Sequence, residues 1–181
     1  MQLAWQFLDP AEATHRAALA SLYPRDSQGA ASQNSLNHLL ASPGICGLLG
    51  WESLGWESPA GESPDKPGPR ALFFCLARQS GPVCDIIELA TAAGFRRRGI
   101  ALCGLTRFCA DFAHQHPQAE IFLEVAEDNL AARQLYQKAG FAEQARRPGY
   151  YRRGPGRVDA VLLCWRAAAG SADIESLAKG C

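Results

Sequence analysis

"PVCDIIELATAAGFRRRGIALCGL", residues 82–105, is the stretch on which the reading of this chain turns. Residues 82–91 read as a strand. Arg96, Arg97 and Arg98 then stand directly before Gly99. Behind the glycine, Ile100, Ala101, Leu102, Leu105, Phe108 and Phe112 recur at the spacing of an apolar helix face, which predicts a helix to about residue 115. A helix start carries partial positive charge, so a cation there is disfavoured by roughly a few tenths of a kcal/mol. An anion seated on the turn removes the conflict. The first helical turn holds backbone N–H groups without intrahelical partners, and guanidinium groups add attraction for phosphate. Gly99 lets an anion approach the backbone, and Ala101 keeps the next outward position small. The spacing Arg96-x-x-Gly99-x-Ala101 is not a P-loop, because the Gly-Lys-Ser/Thr ending is missing. It is not a dinucleotide fingerprint either, because G-x-G-x-x-G is absent.

Upstream, "LAWQFL" (3–8) predicts an opening strand. "DPAEATHRAALASLY" (9–23) predicts a helix with Asp9 as N-cap and Pro10 at its first position. "ASQNSLNHLLA" (31–41) predicts a second helix, and "ICGLLGWE" (45–52) a strand. Residues 51–70, rich in Pro, Gly, Ser and acid, read as an enlarged mobile connection between strands or a substrate-facing flap. "ALFFCLARQ" (71–79) is a further strand. Downstream, "AEIFLEVAE" (119–127) is a strand and "NLAARQLYQKAG" (129–140) a helix stopped by Gly140. "FAEQARRPGYY" (141–151) and "RVDAVLLCWR" (157–166) are two last strands joined by "RRGPG". Strands on both sides of the two later helices define a mixed α/β (α+β) fold.

The 181 residues suit one domain, assigned to residues 1–166 with residues 167–181 as a tail that frays. Formal net charge is zero, which excludes a nucleic-acid or membrane polyelectrolyte. Arg146, Arg147, Arg152, Arg153 and Arg157 crowd one stretch, either a solvated basic loop or a contact with an anionic partner such as RNA. The seven cysteines are odd in number and show no C-x-x-C spacing, so the reading is a reduced, cytoplasmic protein without a metal site. His114 and His116 lack further ligands nearby. Cys103 and Cys109 could form an acyl-enzyme, but no histidine is spaced to activate them, and inert buried thiols fit better. No signal peptide and no membrane span are read in the chain.

An acidic-apolar strand, Arg-x-x-Gly-x-Ala opening a helix, a strand, an asparagine and a helix ending in "LYQKAGF" together resemble the GNAT superfamily of acetyl-CoA-dependent N-acetyltransferases. Within it, the chain most resembles the bacterial ribosomal-protein-alanine N-acetyltransferases. The residues concerned are "FRRRGIA" (95–101), "IFLEVAEDNLAARQLYQKAGF" (121–141) and "RRPGYYRRGPGRVDAVLL" (146–163). The resemblance runs from about residue 84 to 166, and more loosely from residue 10. It implies a mostly antiparallel central sheet flanked by helices and splayed between the strands around 84–91 and 119–126. Three features depart from the pattern: Ala101 in place of glycine, no proline in "TAAGF", and no tryptophan in "YPRDSQGAAS" (23–32).

The resemblance also implies roles. The backbone of Leu89, Ala90 and Thr91 lines the pantetheine arm and thioester of acetyl-CoA, the co-substrate. The turn of Arg96, Arg97, Arg98, Gly99, Ile100, Ala101 and Leu102 holds its pyrophosphate, and Asn129 hydrogen-bonds it. Glu124 is the general base and Tyr136 the general acid. Independently, Glu124 lies among apolar neighbours, as on a strand covered on both faces, where burial would raise its pKa. The other reading is a strand-end glutamate in a salt bridge. Tyr136 sits at the edge of an apolar helix face, where a core tyrosine is the other reading. Tyr150 and Tyr151 either position a peptide terminus or cover the core. The implied reaction is direct transfer of acetyl, in a ternary complex, to a protein N-terminal amine, best that of an N-terminal alanine on a small-subunit ribosomal protein. A small-molecule amine, a lysine side chain, or a non-catalytic CoA-binding module are the alternatives.

Overall fold

The computed structural model describes residues 3–22, 33–52 and 70–167. Residues 53–69 of the insertion expected over 51–70, and residues 168–181 of the tail expected over 167–181, lie outside the described residues, as does the stretch 23–32; Trp51 and Glu52 belong to the strand before the insertion. In chain order the elements are β1 (Leu3–Phe7), α1 (Ala13–Leu22), α2 (Gln33–Leu40), β2 (Ile45–Glu52), β3 (Ala71–Ser80), β4 (Val83–Thr91), α3 (Ile100–Gln115), β5 (Glu120–Ala126), α4 (Leu130–Lys138), β6 (Ala142–Arg153) and β7 (Gly156–Arg166). They agree with the sequence reading in kind and order. Two boundaries differ. α1 starts at Ala13, so Asp9 is not its N-cap and Pro10 is not its first position; Asp9 instead closes a turn ahead of the helix, accepting from Ala11 N–H at 2.8 Å. β6 and β7 are longer than expected, and the connection shrinks to Gly154–Pro155. Gly154, at φ +55°, takes the left-handed first position that a two-residue hairpin turn requires.

The seven strands form one sheet in the order β1-β2-β3-β4-β5-β7-β6. Every neighbour pair is antiparallel except β4 and β5. Those two are parallel and pair only over Val83–Glu120, Cys84–Ile121 and Asp85–Phe122. Beyond Asp85 the strands part, which is the splay expected between them. The edge of β4 facing β5 thus has no strand partner from Ile86 to Thr91, while its other edge stays paired to β3 as far as Thr91. Opposite Leu76 and Ala77 the β3 register slips, leaving Ile87 as an extra bulged residue in β4.

Two apolar layers hold the sheet. Ile100, Leu105, Phe108 and Phe112 of α3 bury against Phe73, Cys75, Ile121, Leu123 and Val161 on one face. Ala18 and Leu19 of α1, with Leu36 and Leu40 of α2, bury against Leu49, Phe74 and Leu76 on the other. Alternate β3 residues serve alternate faces, so residues 71–77 are all buried. The second layer takes no buried residue from β5, β6 or β7. That asymmetry decides the surroundings of the site. Among the described residues no helix is long and apolar enough to cross a membrane.

Gly104 lets α3 lie close on the sheet: a Cβ there would stand 2.4 Å from a ring carbon of Phe73. Alanine normally favours a helix over glycine by roughly 1 kcal/mol. Gly104→Ala is nevertheless expected to destabilise the protein by about 1–2 kcal/mol, because the buried Phe73 ring must move in a filled core. A urea unfolding midpoint at or above that of the parent protein would refute this.

Candidate active site

The arginine–glycine turn joins the open end of β4 to α3. A single 3₁₀ turn, Ala93–Phe95, follows Thr91, and the guanidinium of Arg96 donates back to the Thr91 carbonyl at 3.3 Å. Arg98 and Arg70 lie over the Phe95 ring at 5.1 and 4.8 Å from its centroid. Gly99 is the N-cap of α3 at φ +82°, and no side chain caps the helix. The first helical bond runs from Cys103 N–H to the Gly99 carbonyl, so the N–H groups of Ile100, Ala101 and Leu102 have no intrahelical acceptor. Ile100 is buried and anchors the turn, whereas Arg96 to Gly99 are exposed. Arg97 stands at φ +61°, the one non-glycine residue with positive φ among those described, at a cost of roughly 1–2 kcal/mol.

The site fits the diphosphate and thioester arm of coenzyme A on three observations. A Cβ at Gly99 would meet no atom within 4 Å, so the cradle is open rather than plugged by the protein itself. The helix start is uncapped. The buried hydroxyl of Thr91, at the end of the unpaired β4 edge, has no hydrogen-bond partner. A bound arm bearing amides and phosphates would supply what each lacks.

Asn129 is the N-cap of α4: its side-chain oxygen accepts from Ala132 N–H at 3.2 Å. The oxygen is therefore committed to the helix, and the amide NH2 is the group left for a ligand. Tyr136, half-buried on α4, packs on Phe141 with ring centroids 5.9 Å apart. Burial, with smaller contributions from Cys75, Glu88 and Tyr151, pushes its phenol well above the usual tyrosine range. Tyr136 packs in the α3 layer. Glu88 and Tyr151 lie on the sheet's other side, so their influence reaches its hydroxyl through the parted strands.

Glu124 corrects the sequence reading. It is exposed, not enclosed, and Arg147 Nη1 donates to its Oε1 at 2.7 Å. Its neighbours Leu123 and Val125 are buried in the α3 layer, so Glu124 points to the opposite face, where the α1–α2 layer does not reach β5. Apolar neighbours in sequence marked one face of the strand and said nothing of the other. Arg147 is further held over the Tyr150 ring, 4.1 Å from its centroid.

The basic stretch turns out largely paired within the protein. Arg146 bonds Glu127 and Glu143, Arg153 bonds Asp128 at 3.0 Å, and Arg157 donates to the Gly149 carbonyl at 2.9 Å. Between Arg147 and Tyr151 the β6 register slips past β7. The resulting bulge at Pro148–Tyr150 is fixed by Gly149 N–H donating to Asp159 at 2.8 Å. Tyr150 is left 47% exposed, in edge-to-face contact with half-buried Tyr151 at 5.1 Å. Tyr151 is raised by burial, then by Glu124 and Tyr150, and lowered by Arg153 and Arg147, which places these groups together. Cys103 and Cys109 are buried, and burial pushes the Cys109 thiol far up, so neither stands ready as a nucleophile.

The sequence reading passed over Glu88. It is half-buried on β4 next to the splay. Burial raises its carboxyl above the ordinary value, and a hydrogen bond from Leu89 N–H partly offsets this. An acid inside the apolar run "DIIELAT" is the same signal that drew attention to Glu124.

The fold is shared with solved N-acetyltransferases. The ribosomal-protein-S18-alanine N-acetyltransferase of Escherichia coli superposes with a TM-score of 0.72 at 17% identity, over 95% of this chain and 98% of that one. The spermidine/spermine N-acetyltransferase of Vibrio cholerae gives 0.68 at 13% identity, over 92% and 93%. At these identities the likeness is one of fold. In sequence, residues 63–141 match the acetyltransferase (GNAT) family. A stretch of 74 residues is 34% identical to the chloroplastic GCN5-related N-acetyltransferase 6 of Arabidopsis thaliana, covering 40% of this chain and 25% of that relative. The family match covers fewer than half of the chain's residues, and the chain spans a quarter of the length of that curated relative.

Proposed function

We propose that the protein transfers acetyl from acetyl-CoA to the α-amino group at the N-terminus of a protein, best an N-terminal alanine of a small-subunit ribosomal protein. The observation that carries acetyl transfer is the parting of β4 and β5 beside an uncapped, arginine-flanked helix start. The diphosphate rests on the N–H groups from Arg97 to Leu102, with Asn129 donating to the cofactor. The pantetheine arm runs along Leu89, Ala90 and Thr91, whose free edge supplies N–H groups for the oxyanion of the reacting thioester. The acceptor enters from the face bearing Glu124, Arg147, Tyr150 and Tyr151. Its ammonium exchanges with Arg147 at the Glu124 carboxylate, which takes one proton. A protein α-amine has a pKa of roughly 7.7–8.0, so a modest base frees its lone pair. Tyr136, kept protonated by its burial, donates to the departing thiolate. The tyrosines provide flat, half-apolar walls for the first residues of a peptide.

The resemblance to the ribosomal-protein-alanine enzymes, and the near-complete superposition on one of them, support this choice of acceptor. The test offers acetyl-CoA with peptides that differ only in their first residue, alongside spermidine and a peptide whose only amine is a lysine side chain. Mass spectrometry is expected to find acetyl on the alanine-led peptide first. Acetylation of spermidine or lysine alone would move the acceptor class, and acetylation of nothing would remove the activity.

A further inference from the structure

Acyl transfer to an ammonium removes two protons from nitrogen, and the cleft holds two carboxylates. We propose that Glu88 is the second proton acceptor of the site, taking the proton that nitrogen still carries after it has bonded to the acyl carbon. The proposal rests on the acetyl-transfer reading above.

The placement of Glu88 carries it. The residue lies three positions beyond Asp85, the last β4 residue paired with β5, and just past the bulge at Ile87. It stands opposite Leu76 and shares that sheet face with Ala90, both of the α1–α2 layer. Glu124 is on the same side of the sheet, across the gap. From β3 that face offers Glu88 only the apolar Phe74 and Leu76. The titratable groups around the gap are Tyr136 from α4, Glu124 from β5, and Arg147 and Tyr151 from β6. The carboxylate turns onto the N–H of Leu89, part of the strand edge proposed to receive the thioester. Glu88 therefore stands beside that edge. A thioester oxygen received there would leave the Glu88 carboxylate beside the acyl carbon.

The two carboxylates are held differently. Glu124 is exposed and tied to Arg147, whereas Glu88 is half-buried with its carboxyl raised by burial. Two acids in contrasting surroundings are suited to different proton transfers. Glu124 takes the first proton from the ammonium and yields it to water. The amine lone pair then bonds to the acyl carbon, and the carbonyl pair moves onto oxygen. Glu88 takes the second proton from the nitrogen. The oxyanion re-forms the C=O bond as the C–S bond breaks, and sulfur receives the Tyr136 proton. The protonated Glu88 returns its proton to the Tyr136 phenolate. The sum is an amide, a free thiol and one proton released to solvent.

Glu88→Gln keeps the shape and loses the proton acceptor. With acetyl-CoA and the best peptide acceptor, its kcat is expected to fall about 10²-fold, with peptide KM and calorimetric CoA affinity within about twofold of the parent. Glu88→Asp should recover part of the kcat. A Glu88→Gln kcat within about threefold of the parent, or a loss lying only in KM or CoA affinity, overturns the proposal and leaves acetyl transfer standing. Absence of transfer by the parent protein itself overturns both.

Discussion

Gly99→Asp leaves the protein folded and weakens coenzyme A binding about 10³-fold, as read by calorimetry. Both halves of the expectation come from one turn. A side chain at Gly99 meets nothing within 4 Å, so the substitution displaces no core atom. The φ of +82° is strained for any non-glycine residue, but aspartate is among those that tolerate it, at roughly 1 kcal/mol. Against that strain, an aspartate at the N-cap can accept from the N–H groups of Ala101 or Leu102, a contribution of about 0.5–2 kcal/mol. Unfolding stability should therefore change by no more than about 1 kcal/mol. For the ligand both effects are adverse. The new carboxylate takes the N–H groups proposed for the diphosphate and adds like charge beside it. Two charge-assisted hydrogen bonds at roughly 2 kcal/mol each give the expected loss. Gly99→Asn separates the causes: it fills the same space without charge and should fall between the two. An aspartate variant that binds as tightly as the parent would mean that the diphosphate sits elsewhere.

The arginine–glycine turn was legible because it is local. Arginines at the wrong end of a helix dipole, a glycine and a small residue two positions beyond it all fall within six consecutive residues, and the structure keeps them in one turn. The strand order needed more than pattern. Continuous apolar runs such as "ALFFCLA" show that β3 is covered on both faces, and the structure agrees. The splay between β4 and β5 came from the resemblance, since no single residue announces that pairing stops after Asp85. Glu124 shows where the reading failed. Its neighbours report on the α3 face, whereas its own exposure depends on how far α1 and α2 extend across the sheet, a tertiary property. Arg147 was unreadable as its partner because their meeting depends on the β5–β7–β6 order and on where the β6 bulge begins. Glu88 carried a usable signal, an acid inside an apolar strand, but only the parting of the strands gives that acid work to do.

Tyr136→Phe removes one oxygen and is expected to lower kcat about 10³-fold while coenzyme A affinity and folding stability hold. The ring is anchored independently of its hydroxyl. It packs in the α3 layer and on Phe141, and phenylalanine preserves both contacts. The hydroxyl is the part that feels Glu88 and Tyr151 from across the sheet. Burial, with Glu88 among its neighbours, holds the phenol protonated well above neutral pH, so it is in its donating form whenever the amine is free to attack. A thiolate leaving without a proton donor must depart as a naked anion in a partly desolvated cleft, and that step should then limit the rate. If so, the variant separates the two halves of the reaction. Peptide KM and CoA binding stay near parent values, the loss appears in kcat, and combining Tyr136→Phe with Glu88→Gln costs less than the product of the single losses, because the proton that Glu88 takes from nitrogen is the one returned to Tyr136. Full additivity of the two would place Glu88 and Tyr136 on separate proton routes, and a Tyr136→Phe enzyme with parental kcat would mean that the thiolate leaves without this acid.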